Sequence, residues 1–573
     1  MRIQFFKNIQ QRKLLFWKIR VSFFSGLMLV ALAFTTKIAT SSEINIVKRD
    51  GKLGKYLAGR HAQFIDDSGS AINYFEDLLS SKKNNVGIQD TLFYLLVKSG
   101  KIQKASPLAH KIAKTDSKSA PLAKLFVSLV YIKEGKYQEA LDTIKKIENS
   151  GINYFSRTII ISWLHTANIN FKTGIALLKK EMKNPAYVAI FAPHAALISE
   201  YAGKPELSRK YFDDALLQYR QVGANLTRLI GEFYERNDEQ SKALNIYRNF
   251  NKLSENETLF RYALERTQQN RPERIKLSVN RGVAEGLYHL SSSIRRQNQY
   301  QSILLSRLAI FMYPEFSFAK LRLADQLTEE NLLDEALAIY KKLSQDKVYA
   351  WLARLRVARI YDYQNKLDEA EKILLAMAKE RPKELDPLIN LGNMYRGRDK
   401  HRQAARYFEK AKKRIRHWMP MHWRLLYSSG ASLERLKRWP AAEKDFLKAL
   451  ELKPDQPSVL NYLGYSWIEQ GKHLLKSKAM IEKAVKQRPR SGHIIDSLGW
   501  VQYRLGDYDQ AVKNLERAVL ISPADPTINE HLGDVYWRVG RKLEAGYQWE
   551  RALSLEPEKN QMKSIKKKIK TGL

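Results

Sequence analysis

Apolar and small residues recur along most of the chain as short stripes with the spacing of one helix face. Between Asp507 and Ile521, apolar or small residues occupy positions 508, 511, 512, 515, 518 and 519, which places them along one side of an α-helix. The sequence lacks any alternation of apolar and polar residues long enough for a useful β-strand. The pattern therefore predicts an all-α chain of short amphipathic helices.

The stripes come in pairs that repeat about every 34 residues. A glycine in the first stripe and a proline after the second keep this spacing over the last three pairs: Gly464, Gly499, Gly533, Pro489, Pro523 and Pro557. A small residue in the second stripe extends the series back to Ala71 and gives fourteen repeats, with one longer step of 59 residues from Ala243 to Ser302. Such a period indicates stacked helical hairpins, because one hairpin cannot bury its own apolar face.

The order of these markers, L-G-x-x-W/Y followed by two alanines and a proline, resembles the tetratricopeptide repeat (TPR) family. The resemblance covers about residues 52–560. It implies an all-α solenoid, a right-handed superhelix of about 14 helical hairpins. In that family the first helix of each hairpin lines a concave groove, so the resemblance also implies a groove for a protein or peptide partner.

The markers divide the chain into five segments. Residues 52–250 form an N-terminal array of degenerate repeats, and residues 251–286 an irregular repeat or insertion that accounts for the long step. Residues 287–560 form a C-terminal array with clearer repeats. The last segment, residues 561–573, has apolar residues on one side and lysines on the other. It is either a capping helix, which solenoids need, or a basic tail that binds a surface.

The N-terminus has the layout of an export signal. Residues 1–20 carry six lysines and arginines and no acid, and residues 21–36 are a run of sixteen uncharged residues. A basic region before a short apolar run predicts export across a membrane, with the basic side left in the cytoplasm. Residues 1–41 are then either a cleaved signal peptide, which leaves a soluble protein, or an anchor in which residues 21–36 stay in the inner membrane.

The composition and the known motifs both argue against an enzyme. The chain has 573 residues and no cysteine, which excludes disulfides, thiolate catalysis and cysteine-ligated metals. The sequence contains no glycine-rich phosphate loop, no HExxH and no G-x-S-x-G, the motifs that would indicate nucleotide, zinc or serine chemistry. We therefore predict a non-enzymatic protein with no metal, no cofactor and no small-molecule substrate.

The TPR resemblance implies which residues face the groove in the last repeats. The implied positions combine aromatic rings with fixed hydrogen-bond acceptors: Asn461, Tyr465, Asp496, Trp500, Tyr503, Glu530, Asp534 and Trp537. Rigid aromatic side chains beside acceptors make a good peptide-binding surface. The alternative is that these aromatic residues only pack between neighbouring hairpins, as aromatic stripes at helical spacing usually do.

Positive charge dominates the chain and is concentrated in one stretch. Lysine and arginine number 98 against 60 acids, a formal charge of +38. A basic patch follows residue 395: Arg396, Arg398, Arg402, Arg406, Lys412, Lys413, Arg414 and Arg416. This patch is either a solvated face or a site for an anionic membrane, cell-wall polymer or acidic protein. The export signal disfavours nucleic acid as the partner.

A closer resemblance lies in the C-terminal repeats. The run NYLGYSWIEQG, IIDSLGWVQYRLG and INEHLGDVYWRVGR resembles TPR lipoproteins of the Gram-negative envelope, including adaptors of periplasmic carboxyl-terminal processing proteases. The resemblance implies a periplasmic scaffold that binds such a protease or presents envelope hydrolases to it. The chain departs from those lipoproteins because it has no cysteine to carry a lipid.

Overall fold

The computed structural model describes residues 51–81, 85–148, 150–219, 221–254, 259–271 and 276–573. Within these ranges the chain forms thirty α-helices and one short 3-10 helix, Pro420–His422, with no β-strand. The predicted all-α helical solenoid is confirmed. The predicted signal segment, residues 1–41, lies outside the described residues.

The chain divides into two compact units between Gln364 and Asn365. The first unit contains helices α1 (Lys52–Phe64), α2 (Ser68–Ser81), α3 (Val86–Lys98), α4 (Ile102–Ile112), α5 (Ala120–Lys133), α6 (Tyr137–Lys145), α7 (Gly151–Ala167), α8 (Phe171–Glu181), α9 (Pro185–Tyr201), α10 (Pro205–Leu216), α11 (Ala224–Arg236), α12 (Gln240–Ser254), α13 (Arg261–Gln268), α14 (Val279–Ile294), α15 (Gln299–Met312), α16 (Ser317–Glu329), α17 (Leu333–Leu343) and α18 (Ala350–Tyr363).

The second unit contains helices α19 (Leu367–Glu380), α20 (Asp386–Arg396), α21 (His401–Lys413), α22 (Trp423–Arg435), α23 (Trp439–Leu452), α24 (Pro457–Glu469), α25 (Leu474–Gln487), α26 (Gly492–Arg504), α27 (Tyr508–Ile521), α28 (Pro526–Arg538), α29 (Lys542–Ser554) and α30 (Lys559–Thr571). None of the helices in the described ranges is both long and apolar enough to span a bilayer.

Consecutive helices pack in pairs, which gives eight complete hairpins in the first unit and five in the second. We call the two helices of each pair the first and the second helix. The single helix α13 follows the sixth hairpin and falls in the long step of the repeat pattern. The fourteen repeats counted in the sequence correspond to these thirteen hairpins and to α18 and α19, which flank the boundary between the units.

Glycines inside the first helices let the second helix pack against the backbone. A Cβ atom on Gly499 would lie 2.6 Å from Leu515 Cγ. On Gly533 it would lie 2.5 Å from Trp549 Cδ1. Real side chains do not approach this closely, so the close contact requires glycine and accounts for the roughly 1 kcal/mol that glycine costs in a helix.

The core of each hairpin lies between its two helices and continues into the next hairpin. At the C-terminus, the buried residues Ala511, Leu515, Leu532 and Trp549 form one cluster with Ile565 of α30. Ile565 is fully buried, while the lysines that follow it at positions 566 and 567 are exposed. Helix α30 therefore covers the apolar end of the last hairpin, as a solenoid requires.

Candidate functional site

The first helices of the N-terminal hairpins are covered by a later hairpin of the same unit. Helix α14 packs on α5, α7 and α9, and α15 packs on α3 and α5. All four of these partners are first helices, so we call their shared surface the N-terminal first-helix face. The chain thus fills this face with its own helices α14 and α15.

Two glycines of α14 allow the close approach of the covering hairpin. A Cβ atom on Gly282 would lie 2.1 Å from Cζ2 of Trp163, a fully buried ring of α7. One turn further along, a Cβ atom on Gly286 would lie 2.6 Å from Ile159 Cγ2. The spacing of four residues puts both glycines on the same side of α14, so this side lies directly on α7.

Two buried histidines meet where α14 crosses α9. His289 Nδ1 lies 3.3 Å from His194 Nε2, and both side chains are buried. Burial lowers the pKa of His289 to about 4, and burial together with its neighbour His289 lowers the pKa of His194. Both imidazoles are therefore neutral at physiological pH, and the ring N–H of one can donate to the other.

Buried ion pairs join the covering hairpin to α11. Arg228 donates to Glu285 at 2.5 Å and to Glu232 at 3.1 Å, and Arg281 donates to Glu232 at 2.5 Å. Burial opposes ionisation of Glu232, but Arg228 and Arg281 outweigh burial and lower the pKa of Glu232 to about 2. The carboxylate is therefore ionised throughout the neutral range, and the pairing fixes α14 relative to α11.

A cavity of about 510 Å³ lies beside these ion pairs and is lined in part by Arg228, Arg266 and Arg281. Each of the three guanidinium groups is bonded to a glutamate: Arg228 to Glu285, Arg266 to Glu235 and Arg281 to Glu232. These charges serve the packing of the first unit, because a buried guanidinium needs its counterion to offset desolvation.

The C-terminal first-helix face, formed by α24, α26 and α28, carries a stack of three rings. The Trp500 ring lies 4.0 Å from that of His531 and 4.8 Å from that of Tyr503, with interplanar angles of 10° and 12°. Trp500 Nε1 donates to Glu469 Oε1 at 2.7 Å. The indole is therefore held in one orientation by both faces and its N–H, while Trp500 and Tyr503 stay only half-buried.

Three buried acids lie near this stack and are bonded to His531 or Lys568. His531 Nδ1 lies 2.8 Å from Asp496 Oδ1. Lys568 of α30 donates to Glu530 at 2.6 Å and to Asp534 at 2.7 Å. Burial alone would lower the pKa of His531, but Asp496, with Asp534 and Glu530, outweighs burial and raises that pKa above its usual value. These bonds hold the His531 ring and helix α30 in place on the face.

The remaining predicted groove residues lie on the same three helices. Tyr465 is half-buried, with its ring 6.4 Å from His531. Asn461 is half-buried, and its buried Oδ1 has no hydrogen-bond partner among the described residues. Trp537 packs on Trp549, with ring centroids 5.5 Å apart, and on the backbone of Gly572. The structure therefore places all eight predicted residues on α24, α26 and α28; their binding role stays a prediction.

The predicted basic patch divides into bonded and free side chains. Lys412 donates to Asp445 at 2.9 Å, and Arg414 donates to the Glu384 carbonyl at 2.7 Å. Arg398 donates to the Met394 carbonyl at 3.1 Å. Within the described ranges the other members do not share this bonding. Arg396 is half-buried at the end of α20, and the exposed members are Arg402, Arg406, Lys413 and Arg416. The exposed half alone is available to an anionic partner.

The sequence pattern did not identify the residues that hold the groove side chains in place. His531 stacks on Trp500, and Lys568 bonds to both Glu530 and Asp534. These contacts join residues 31 to 38 positions apart, so one repeat alone does not show them. Among the described residues, no three His, Asp or Glu side chains converge as a metal site would require.

Two family models match the second unit. One, described as a TPR repeat, matches residues 499–540, and the other, described as a tetratricopeptide repeat, matches residues 389–457. The chain contains tetratricopeptide repeats. TPR hairpins are protein-interaction scaffolds in general, and both matched segments include first helices of the kind that carry the ring stack.

Three proteins that this chain resembles match it at low sequence identity. A TPR repeat-containing protein of Pseudomonas aeruginosa is 27% identical over 170 residues, which is 29% of this chain and 28% of that protein. The chain therefore spans less than a third of that relative. The APC/C hetero-tetramer Cut9-Hcn1 aligns over 91% of this chain and 96% of its own, with a TM-score of 0.39 and 14% identity. A tetratricopeptide repeat protein from Parabacteroides merdae aligns over 44% and 99%, with a TM-score of 0.36 and 17% identity.

Proposed function

We propose that this TPR chain is a non-enzymatic scaffold that binds a protein partner on its C-terminal first-helix face. The observation that supports this function best is the ring stack of Tyr503, Trp500 and His531. The stack is rigid before any partner arrives, so binding would cost little side-chain entropy. Half-buried tryptophan and tyrosine of this kind are the side chains that dominate protein interfaces.

The N-terminal first-helix face supports the choice of surface. Helices α14 and α15 already cover that face, so it offers no open site for a partner in this conformation. Their packing also illustrates that a first-helix face of this chain accepts helices. A helical segment of a protein partner is therefore the ligand that we propose for α24, α26 and α28.

We further propose that this scaffold works in the bacterial envelope. The basic and apolar order of residues 1–41 is typical of an exported protein, either soluble in the periplasm or anchored by residues 21–36. The resemblance of the C-terminal repeats to protease adaptors suggests a periplasmic carboxyl-terminal processing protease as the partner, with envelope hydrolases as the proteins presented to it.

The experiment is a titration of the purified chain against such a protease, with two tryptophans of the C-terminal first-helix face replaced. We expect Trp500→Ala combined with Trp537→Ala to weaken binding at least tenfold, since a hot-spot residue contributes about 2 kcal/mol or more. Trp418→Ala is the matched control, because Trp418 is exposed outside the first-helix face. Circular dichroism of each variant checks that the helices remain.

The outcomes distinguish an error in the assigned binding surface from an error in the proposed partner. If the double variant binds the protease as the unaltered chain does, the assignment of the C-terminal first-helix face is wrong. If the unaltered chain does not bind the protease, that partner is wrong, and envelope extract passed over the unaltered chain and the double variant then tests the face alone. A protein retained by the first and lost from the second would still support the scaffold function.

A further inference from the structure

The second helices of the second unit present cations on their outer face at the repeat spacing. Position 0 of each is the small residue of the repeat, which is fully buried in all six helices: Ala370, Ala404, Ala442, Ser477, Ala511 and Ala545. Four helices carry a lysine or arginine two residues later, at Lys372, Arg406, Lys444 and Lys513. Five helices carry one six residues later, at Lys410, Lys448, Lys483, Arg517 and Arg551.

Helix geometry explains why these positions face solvent. At about 100° per residue, positions −2, +2, +6 and +9 all fall within roughly 60° of the direction opposite position 0. Position 0 points into the hairpin, so this group of positions points away from it. We call the surface that they form on α19, α21, α23, α25, α27 and α29 the second-helix outer face.

Most cations of this face lack a counterion. Lys372, Arg406, Lys444 and Lys513 are exposed, and none of them bonds to a carboxylate of the described residues. By contrast, Lys448 and Lys483 of the same face lie 2.5 Å from Glu451 and 2.6 Å from Asp455. Such an exposed pair contributes little to stability and opens readily. Three acids share the face with the cations: Asp368, Glu451 and Asp509. The unpaired charges gain nothing within the fold, so the face is complementary to an anionic surface.

Large apolar side chains are exposed on the same face. At position −2, Leu475 is 76% exposed and Leu543 is 70% exposed. Leu520 at position +9 is 82% exposed, and Tyr547 at position +2 is 61% exposed. A soluble polyanion would pair with the cations and leave these side chains in water. The headgroup region of a bilayer accepts both groups, because cations meet lipid phosphates while leucine and tyrosine enter the interface.

We propose that the second-helix outer face of residues 367–554 binds a membrane surface of anionic phospholipid. This surface is separate from the face that carries the ring stack, so one molecule can hold a protein partner and lie on a membrane at once. The binding combines the attraction of unpaired lysines and arginines for lipid phosphates with the burial of exposed leucines in the interface. It requires no contribution from residues 1–50.

The test is co-sedimentation of the full chain with vesicles of phosphatidylcholine alone or with 30% phosphatidylglycerol, at about 50 to 500 mM salt. We expect binding to the anionic vesicles that falls as salt rises. The charge variant is Lys372→Glu, Arg406→Glu, Lys444→Glu and Lys513→Glu. Because each cation adds substantially to adsorption, we expect this variant to lose at least tenfold in partitioning.

The matched control reverses four exposed cations near the turns between first and second helices: Lys400, Arg438, Lys472 and Arg504. It has the same net charge as the charge variant. We expect the logarithm of its partition coefficient to fall by less than half as much as in the charge variant. Equal losses in the two variants would overturn the proposal, because binding would then follow net charge and not this face.

An apolar variant distinguishes a membrane from a soluble polyanion. Leu520→Ser with Leu543→Ser leaves every charge in place, and both side chains are exposed, so folding should be unaffected. We expect this variant to bind anionic vesicles at least threefold more weakly and to bind polyphosphate as the unaltered chain does. Unchanged vesicle binding would contradict the lipid proposal and favour a polyanion. Equal binding of the unaltered chain to neutral and anionic vesicles would also contradict it.

Discussion

The covering of the N-terminal first-helix face by α14 can be tested with one methyl group. In Gly282→Ala, the new methyl would lie 2.1 Å from Trp163 Cζ2 and 2.2 Å from Cε2. Carbon atoms in contact need about 3.5 Å or more, so the ring or α14 must move by more than an ångström. Trp163 is fully buried and has little free space to enter.

The expected magnitude follows from two opposing effects. Alanine is better than glycine inside a helix by about 1 kcal/mol, which favours the variant. Overpacking a buried site costs about 1–3 kcal/mol, and the size of this overlap places Gly282→Ala at the upper end. We therefore expect a net destabilisation of about 2 kcal/mol in the first unit. In Gly546→Ala, by contrast, a helical glycine with nothing within 4 Å of the new methyl should gain about 1 kcal/mol.

Hydrogen exchange of peptides from α7 and α14 measures this effect locally. A loss of about 2 kcal/mol in stability raises the rate of exchange through local opening roughly 30-fold. Gly546→Ala should leave the exchange of those peptides unchanged. Adding Trp163→Phe to Gly282→Ala makes room for the methyl group. The double variant should therefore lose less stability than the two single variants lose in sum. If Gly282→Ala exchanges as slowly as the unaltered chain, α14 does not lie on Trp163.

Three further predictions concern buried charges. Glu285→Gln removes one of the two carboxylates bonded to Arg228 and leaves Glu232 as the other. It should destabilise the first unit by about 1.5–3 kcal/mol in urea unfolding; a loss below about 0.5 kcal/mol would argue against the pair. The raised pKa of His531 contributes stability that is complete below its unfolded pKa near 6.5 and fades as pH rises through the folded value. The protection factors of α26 and α28, which correct for the base-catalysed rise of amide exchange with pH, should therefore fall as pH rises through the folded pKa, and Asp496→Asn should flatten that dependence. Lys568→Met should release α30, and limited proteolysis that cuts the variant no faster would refute its anchoring role.

The hairpins were predictable because their signal is local and repeated. Each repeat must place a small residue where its two helices cross, so Ala511 and Ala545 mark the same contact 34 residues apart. The glycines of the first helices follow the same logic, and Gly499 and Gly533 do lie against second-helix side chains. A local packing requirement that recurs in every repeat can still be recognised where the sequence of one repeat has diverged.

The return of α14 and α15 onto earlier helices was not predictable in the same way. Its contacts, such as His194 with His289, join residues 95 positions apart and occur once. The sequence signal is the 59-residue step, which predicts an irregular segment at residues 251–286 but not what that segment packs against. On the C-terminal face, the aromatic positions followed from the TPR resemblance, but the contacts of His531 with Trp500 depend on three-dimensional spacing between hairpins.

The most direct test of the scaffold account is site-specific photo-crosslinking in cells. A benzoylphenylalanine at Tyr503 would sit half-buried at the edge of the ring stack, and one at Tyr547 would sit exposed on the second-helix outer face. The account predicts a defined protein adduct from position 503 and none from position 547. No protein adduct at position 503, or the same adducts from both positions, would contradict partner binding on the C-terminal first-helix face.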